Sequence, residues 1–154
     1  MLSPAPALEA TTTPSGFLLV LSIAMPVMGV MLAFVLGDRH VRLVAYAIIP
    51  LGLAIAVTIL VTLRQSTWPL VYLLGAWPPP LGVALRADGL SAVMLAATSV
   101  VICAVAVYAH ADFKDTATRA PFAFWILLLA IWAALDTIFV GADLFTLYVA
   151  PELL

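Results

Sequence analysis

The sequence predicts an all-α integral membrane protein, and three observations support that fold class. Of the 154 residues, 66% are hydrophobic and only 9% are charged, whereas about a quarter of the residues of a soluble domain are charged. The chain also contains uncharged stretches long enough to cross a ~30 Å hydrocarbon core, which takes about 20 helical residues. A soluble fold of this length could not bury so much apolar surface.

Four complete transmembrane helices and a truncated fifth are predicted. The first three are uncharged, and the fourth begins with proline at a favourable first-turn position and carries Asp136 near its far end. A fifth apolar run begins at Asp143. Residues 1–16, rich in Pro and Thr, are predicted to form a flexible polar tail, which leaves 17–154 as the helical domain. The predicted helices cover residues Phe17–Leu36, 43–63, 90–109, 121–140 and 143–154.

The segment between the second and third helices predicts a short hairpin at the membrane surface. Its centre, residues 77–82 (WPPPLG), is flanked by strand-like stretches at 71–74 and 81–85. Trp68 and Tyr72 suit that depth, because amphipathic aromatic side chains concentrate at the membrane interface. An ordinary interfacial loop is the alternative.

The positions of the basic residues predict the orientation of the chain. Four of the six Lys and Arg residues lie in the turn at 38–42 and the loop at 110–120. The positive-inside rule therefore places these two connections in the cytoplasm and the amino terminus outside. A cleaved signal peptide is not expected, because the amino-terminal region lacks a positive charge and the first apolar run is too long. The predicted location is the cell (inner) membrane, crossed several times.

Several classes of function are not expected from this sequence. The basic residues are too few and too scattered for a nucleic-acid interface. No zinc, nucleophile-elbow or phosphate-loop pattern occurs, so we expect neither a catalytic site of its own nor a cofactor. His40 and His110 fall at helix ends and are interpreted as solvated loop histidines, with a haem- or pigment-binding bundle as the alternative. Cys103 is interpreted as a buried structural thiol.

The remaining carboxyl groups near or inside the predicted helices are the candidate functional residues, because an ionisable group in lipid is costly. Asp88 and Asp143 each precede a helix and most simply cap it by satisfying free amides. Asp143 is also a candidate for a polar path through the membrane. Asp136 could face either a polar cavity, as part of the same path, or the membrane interface.

Glu152 is the strongest candidate for proton transfer. It lies nine residues into the fifth helix, which places it ~13 Å below the start of that helix. No Lys or Arg lies within a helical turn. A carboxyl group there could bind and release a proton if water or a basic partner reached it. The alternative is a protonated carboxyl group that is simply hydrogen-bonded to a neighbouring helix.

Three stretches resemble a known family: residues 72–82 (YLLGAWPPPLG), 88–92 (DGLSA) and 141–152 (GADLFTLYVAPE). They are similar to the antiporter-like membrane subunits, which comprise the D-type subunits of multisubunit Na⁺/H⁺ antiporters and the proton-pumping membrane subunits of respiratory complex I and of membrane-bound hydrogenases. The resemblance covers about the first third of a typical member. It implies an all-α bundle of about fourteen helices with inverted repeats.

The resemblance also implies residue roles. In the family, the fifth helix carries a membrane-embedded glutamate that pairs with a lysine of a later helix and transfers protons; by position this residue is Glu152. Asp143 matches the aspartate that opens the same helix. This chain departs from the family at Pro151, where members usually have a bulky apolar or aromatic residue. The proline removes an amide and disturbs the preceding turn.

The sequence therefore predicts a proton- or cation-translocating antiporter-like subunit, or an amino-terminal fragment of one. Its expected partners are lipid and the other membrane subunits of a multisubunit complex. A fifth helix ending at Leu154 would span only ~18 Å. We therefore expect that this segment bends to the membrane interface, that other subunits cover it, or that the sequence is a fragment of a longer protein. The alternative function is a structural accessory subunit of a larger respiratory or photosynthetic complex.

Overall fold

Four long apolar helices, α1 to α4, form the body of the chain. The computed structural model describes residues 12–66, 68–76, 82–113 and 120–142, together with Tyr148 and Glu152. All four helices are long and apolar enough to cross a membrane. In lipid a helix satisfies its own backbone hydrogen bonds, which explains why uncharged runs adopt this form. The helices are α1 (Phe17–Leu36), α2 (Val41–Gln65), α3 (Gly89–Asp112) and α4 (Ala120–Val140).

This architecture confirms the predicted fold class of four membrane-spanning helices. The predicted fifth helix lies largely outside the described residues, although Tyr148 and Glu152 both have helical backbone. Pro26 and Pro50 lie inside α1 and α2, and both helices continue through them. Gly37 ends α1 with a φ of 72°, a backbone conformation that residues with a side chain rarely adopt.

The helices pack so that α2 and α4 form the centre of the bundle. Helix α1 contacts both of them on one side, and α3 contacts both on the other. The turn between α1 and α2 is short, so these two helices run antiparallel. Helix α4 thus touches each of the other three helices, so a side chain on its inward face lies among them.

A two-stranded hairpin connects α2 to α3, as predicted. Strand β1 (Leu70–Leu73) pairs antiparallel with β2 (Ala84–Ala87). The second strand begins three residues later than the start expected at residue 81, and the pairing continues beyond β1 through a 3.0 Å hydrogen bond from Leu74 N to Val83 O. Most of the predicted turn at 77–82 lies outside the described residues.

Both edges of the hairpin are covered by other parts of the chain. Thr13 N donates to Val71 O over 2.9 Å beside β1, and Ala142 N donates to Ala84 O over 3.1 Å beside β2. Covered edges have few free backbone groups left to pair with another chain. Thr12 and Thr13, which the sequence assigns to the tail, therefore pair with β1, while residues 1–11 lie outside the described residues.

The buried side chains form two clusters, one at each end of the bundle. The first cluster, near the α1–α2 turn, contains Trp125 and Trp132, the largest fully buried side chains. The second cluster joins the hairpin to the opposite ends of the helices and includes Leu19, Leu70, Leu85 and Val140. The hairpin thus closes one end of the bundle.

Candidate functional site

Asp136 occupies a position on α4 that otherwise carries core side chains. The fully buried residues of this helix recur at intervals of three or four, which is the repeat of one helix face. They are Trp125, Leu129, Trp132 and Val140. Asp136 falls in this series between Trp132 and Val140 and is 2% exposed. The sequence left open whether Asp136 faces a cavity or the interface, and the structure places it inside the bundle.

One oxygen of the Asp136 carboxyl group has no hydrogen-bond partner in the described part of the chain. This atom, Oδ1, is buried. The indole Nε1 of Trp132, one helical turn earlier, is likewise buried and unpartnered. Buried polar atoms of folded proteins nearly always have a partner, and the exceptions call for a functional explanation such as an ion, a water molecule or a catalytic role.

Two glycines fix the position of α4 against its neighbours. A Cβ atom added to Gly52 of α2 would overlap the ring of Trp132 and would lie 2.7 Å from its Cζ2 atom. A Cβ atom added to Gly29 of α1 would lie 3.1 Å from Leu129 Cδ1. The absence of a side chain at both positions lets α4 approach α1 and α2 closely.

These contacts set the depth of Asp136 relative to α1. Helices α1 and α4 are antiparallel, since Gly29 faces Leu129 while Leu19 and Val140 share the cluster at the hairpin end. Ser22 lies seven residues from Gly29 toward the hairpin, and Asp136 lies seven residues from Leu129 in the same direction. Each distance is ~10 Å along the helix axis. The two residues therefore occupy about the same depth in the bundle.

Ser99 of α3 lies at about the same depth, as a second set of contacts shows. Tyr46 of α2 contacts His110 of α3. Val57 lies eleven residues after Tyr46 and Ser99 lies eleven residues before His110, so Val57 and Ser99 are at about the same level. Gly52 of α2 contacts Trp132 of α4, and one turn further toward the hairpin lie Ala56 and Asp136. Because Ala56 precedes Val57, Asp136 is at about the level of Ser99.

Ser22, Ser99 and Asp136 are the three buried polar or charged residues among those described, and we call them the polar layer. Ser22 Oγ donates to Leu19 O and Ser99 Oγ donates to Leu95 O, each over 2.8 Å. Both hydroxyl hydrogens are thereby used within their own helices. The oxygen lone pairs remain available as acceptors, so the polar layer combines one carboxyl group with two hydroxyl acceptors.

The polar layer lies a short distance below the hairpin. Asp136 is four residues from Val140, the last residue of α4, which is ~6 Å along the helix axis. Val140 itself packs in one cluster with Leu70 of β1 and Leu85 of β2. A single apolar layer and the hairpin therefore separate the carboxyl group from that end of the bundle.

The other two predicted site residues lie beyond α4. Asp143 falls outside the described residues. Glu152 has helical backbone and an exposed side chain. Tyr148 also has helical backbone and is 77% exposed. Glu152 is therefore accessible on the surface of this chain, and its predicted role in proton transfer stays a prediction.

Asp88 caps α3, as the sequence predicts. Its carboxylate accepts a 2.9 Å hydrogen bond from the backbone amide of Ser91. This hydrogen bond lowers the pKa of Asp88, because it favours the charged form of the carboxyl group. Asp88 has a structural role at the start of α3, outside the polar layer.

His110 is exposed at a helix end, as expected from the sequence, and it also contacts another helix. It lies in the last turn of α3, and its Nδ1 atom is hydrogen-bonded to the Tyr46 hydroxyl of α2. The partner is 64 positions away in the chain, so no local pattern could indicate it. His40 is exposed at the start of α2. In the described ranges, no three His, Cys, Asp or Glu side chains are close enough to hold a metal ion.

Comparison with known proteins supports the resemblance seen in the sequence. A probable K⁺/H⁺ antiporter subunit of the D type, from Rhizobium meliloti (strain 1021), is 37% identical over 84 residues, which cover 54% of this chain and 15% of the relative. A chain of the membrane-bound sulfane sulfur reductase, an archaeal respiratory membrane complex, superposes with a TM-score of 0.78 at 22% identity. No protein-family model matches the chain.

The chain resembles the antiporter-like membrane subunits. The structural match covers 88% of this chain and 28% of the archaeal protein, so the shared fold extends over nearly the whole sequence. The chain spans less than a third of the length of either protein. With four helices that can cross a membrane, it is a multi-pass membrane protein.

Proposed function

We propose that the chain provides the first helices of an antiporter-like subunit that translocates protons or monovalent cations within a multisubunit membrane complex. The observation that carries the proposal is the buried carboxyl group of Asp136, whose Oδ1 atom has no partner in the described part of the chain. Similarity to a K⁺/H⁺ antiporter subunit supports the choice of substrate class.

The chemistry of the polar layer suits a group that gains and loses a proton. When protonated, Asp136 has one O–H donor, and the hydroxyl oxygens of Ser22 and Ser99 are acceptors at about its depth. When ionised, the carboxylate requires a cation, a water molecule or a donor such as the Trp132 indole, because an unpaired buried charge is strongly disfavoured. Loss of the proton is thus favoured when a cation or water enters.

Glu152 supplies the second carboxyl group of the proposed path. Its exposed side chain could meet a further helix of the same protein or of another subunit. The resemblance suggests that this partner carries a lysine, whose charge would set the affinity of Glu152 for a proton. Opposite charges within a few ångströms favour the charged forms of both groups. Movement of the lysine charge would therefore change how strongly Glu152 binds a proton.

The proposed setting is the cell (inner) membrane, with the amino terminus outside and the turn at 38–42 in the cytoplasm. The archaeal protein that shares the fold belongs to a respiratory membrane complex, which supports other membrane subunits as partners. The proposal assigns ion translocation to the chain and leaves any oxidation or reduction to other subunits.

Ion transport in vesicles that contain the full assembly tests this proposal. Cation-driven proton movement is followed with a pH-sensitive dye for the native protein, Asp136→Asn, Glu152→Gln and Asp112→Asn. Asp112 is exposed at the end of α3 and serves as the matched carboxylate control. We expect loss of transport in Asp136→Asn and Glu152→Gln, and native transport in Asp112→Asn.

Native transport in all three variants would contradict the proposal. If deletion of the chain then destabilised the host complex while these substitutions had no effect on transport, the chain would be a structural accessory subunit instead. The amounts of assembled complex, measured in the same membranes, separate a transport defect from a folding defect.

A further inference from the structure

An open groove between α2 and α3 lies apart from the polar layer and has no role in the proposed function. Its volume is about 490 Å³, within the usual range of small-molecule sites. The walls are largely apolar and include Pro50 and Leu53 of α2 and Cys103 and Val107 of α3. Tyr46 and His110, which are hydrogen-bonded to each other, lie at one end.

The groove lies within one leaflet of a membrane, with Arg42 one turn beyond its polar end. Tyr46 and Leu53 are seven residues apart, or ~10 Å along α2, and Arg42 is one turn beyond Tyr46. From the level of Arg42 to that of Leu53 the distance is therefore ~16 Å, about half of a ~30 Å hydrocarbon core. The polar end lies near the ends of both helices, at the membrane surface, and the apolar end lies near the middle.

The polar end of the groove offers donors for an anionic group. Arg42 is on the same helix face as Tyr46, and its Nη2 atom donates to Phe113 O at the end of α3 over 2.9 Å. This bond joins α2 to the end of α3 about one turn beyond Tyr46 and His110. A guanidinium group has five N–H donors, so others remain for a ligand. The His110 ring uses Nδ1 for Tyr46, which leaves Nε2 as its second hydrogen-bonding atom.

Arg42 is the basic side chain that this end of the groove offers to an anion. It lies one turn beyond Tyr46 on α2 and is half-buried, whereas the other charged residues described around this end, Asp38, Arg39 and Asp112, are exposed. Basic pockets between transmembrane helices on the cytoplasmic side are typical sites for anionic lipid headgroups.

We propose that this groove binds one anionic phospholipid, with an acyl chain between α2 and α3 and the phosphate beside Arg42 and His110. The apolar walls match part of a hydrocarbon chain, and the donors at and just beyond the polar end match a phosphate. A zwitterionic lipid fits the walls equally well but gains less from Arg42, because its headgroup carries no net charge.

Native mass spectrometry of the purified protein in a mild detergent tests the site. The protein is offered equal amounts of dioleoyl phosphatidylglycerol and dioleoyl phosphatidylcholine. One basic side chain near a membrane surface favours anionic lipid by about fivefold, so we expect the phosphatidylglycerol adduct to exceed the phosphatidylcholine adduct by about that factor. Equal amounts of the two adducts would overturn the proposal.

Matched variants separate the headgroup contact from general attraction of charge. Arg42→Gln should reduce the preference to about unity, whereas Arg39→Gln, which removes an exposed charge from the same turn, should retain it. Arg42→Lys should keep most of the preference, because it keeps the charge while altering the bond to Phe113. Equal losses in Arg42→Gln and Arg39→Gln would indicate diffuse attraction and contradict a defined site.

A second pair of variants tests the acyl chain. Val107 lines the groove and is 73% exposed, whereas Val101 of the same helix is 58% exposed and does not line it. Val107→Trp should fill the groove and lower the amount of bound phosphatidylglycerol severalfold, and Val101→Trp should leave it unchanged. Unchanged binding in Val107→Trp would show that the lipid does not occupy this groove and would overturn the proposal.

Discussion

The indole ring of Trp132 packs directly against the backbone of Gly52, where no other residue would leave room for it. This contact joins the two central helices, α4 and α2, and sets the register that places Asp136 one turn beyond. The polar layer therefore depends on a glycine in one helix and a tryptophan in the other.

The first prediction concerns this contact. Alanine favours a helix interior over glycine by about 1 kcal/mol, but the new Cβ atom in Gly52→Ala would overlap the Trp132 ring. Overpacking of a core costs about 1–3 kcal/mol. We expect a net loss of thermal stability in detergent and an altered tryptophan fluorescence spectrum. Gly89→Ala is the control, since nothing lies within 4 Å of a Cβ atom there, and it should be neutral or slightly stabilising.

The second prediction is that Asp136 lowers the stability of the bundle. A buried polar group without a partner costs about 1–3 kcal/mol, and leucine has the same branched arrangement of side-chain heavy atoms as aspartate but is fully apolar. We therefore expect Asp136→Leu to raise the melting temperature in detergent while it removes ion transport. Melting curves by differential scanning fluorimetry provide the measurement. A lower melting temperature would indicate that water or another partner already satisfies the carboxyl group.

The third prediction concerns the cap of α3. Replacement of an aspartate at this position by alanine costs about 1 kcal/mol, so Asp88→Ala should be less stable than the native protein at neutral pH. The Ser91 amide lowers the pKa of Asp88 in the folded state. The stabilisation is therefore complete above the unfolded pKa of about 3.9 and is lost as the pH falls through the lower folded value.

The pH dependence of this cap can be checked with a neutral variant. Asparagine caps a helix about as well as aspartate but does not titrate, so Asp88→Asn should keep most of the stability and should not lose it in acid. Chemical unfolding of the three proteins at several pH values gives the comparison. A constant difference between the native protein and Asp88→Ala across the acid range would show that the cap does not depend on the charge of Asp88 and would contradict the predicted pH dependence.

The fourth prediction concerns Glu152. Its side chain is exposed in this chain, so Glu152→Gln should not change the melting temperature of the four-helix bundle, whereas it should abolish cation-coupled proton transport in the full assembly. A fall in stability without a loss of transport would assign Glu152 a packing role. The paired measurement of melting temperature and transport separates the two roles for this residue.

Much of the fold follows from local features of the sequence. Hydropathy alone marks the four helices, since a backbone in lipid has few alternatives to the helix. Residue types also indicate the hairpin after α2 and the cap formed by Asp88. The start of β2 was predicted too early, because pairing across the hairpin depends on register and the apolar residues near 81–85 carry no clear alternation.

The candidate site was less predictable because it depends on how the helices are aligned. Asp136 stands out in the sequence as a carboxylate in an apolar run, yet only the packing of α4 shows that it points into the bundle. Ser22 and Ser99 are single hydroxyl residues in long apolar segments, and such residues often bond only to their own helix backbone. The pairing of Tyr46 with His110 joins distant parts of the chain, so no local motif indicates it.

The most direct test of the central claim is infrared difference spectroscopy of the full assembly as a monovalent cation is added. We expect the cation to remove a proton from Asp136, so that the carbonyl band of a protonated carboxyl group decreases in the native protein and in Asp112→Asn. In Asp136→Asn that change should be absent or smaller. An identical change in all three proteins would show that Asp136 does not exchange a proton and would contradict its role in ion translocation.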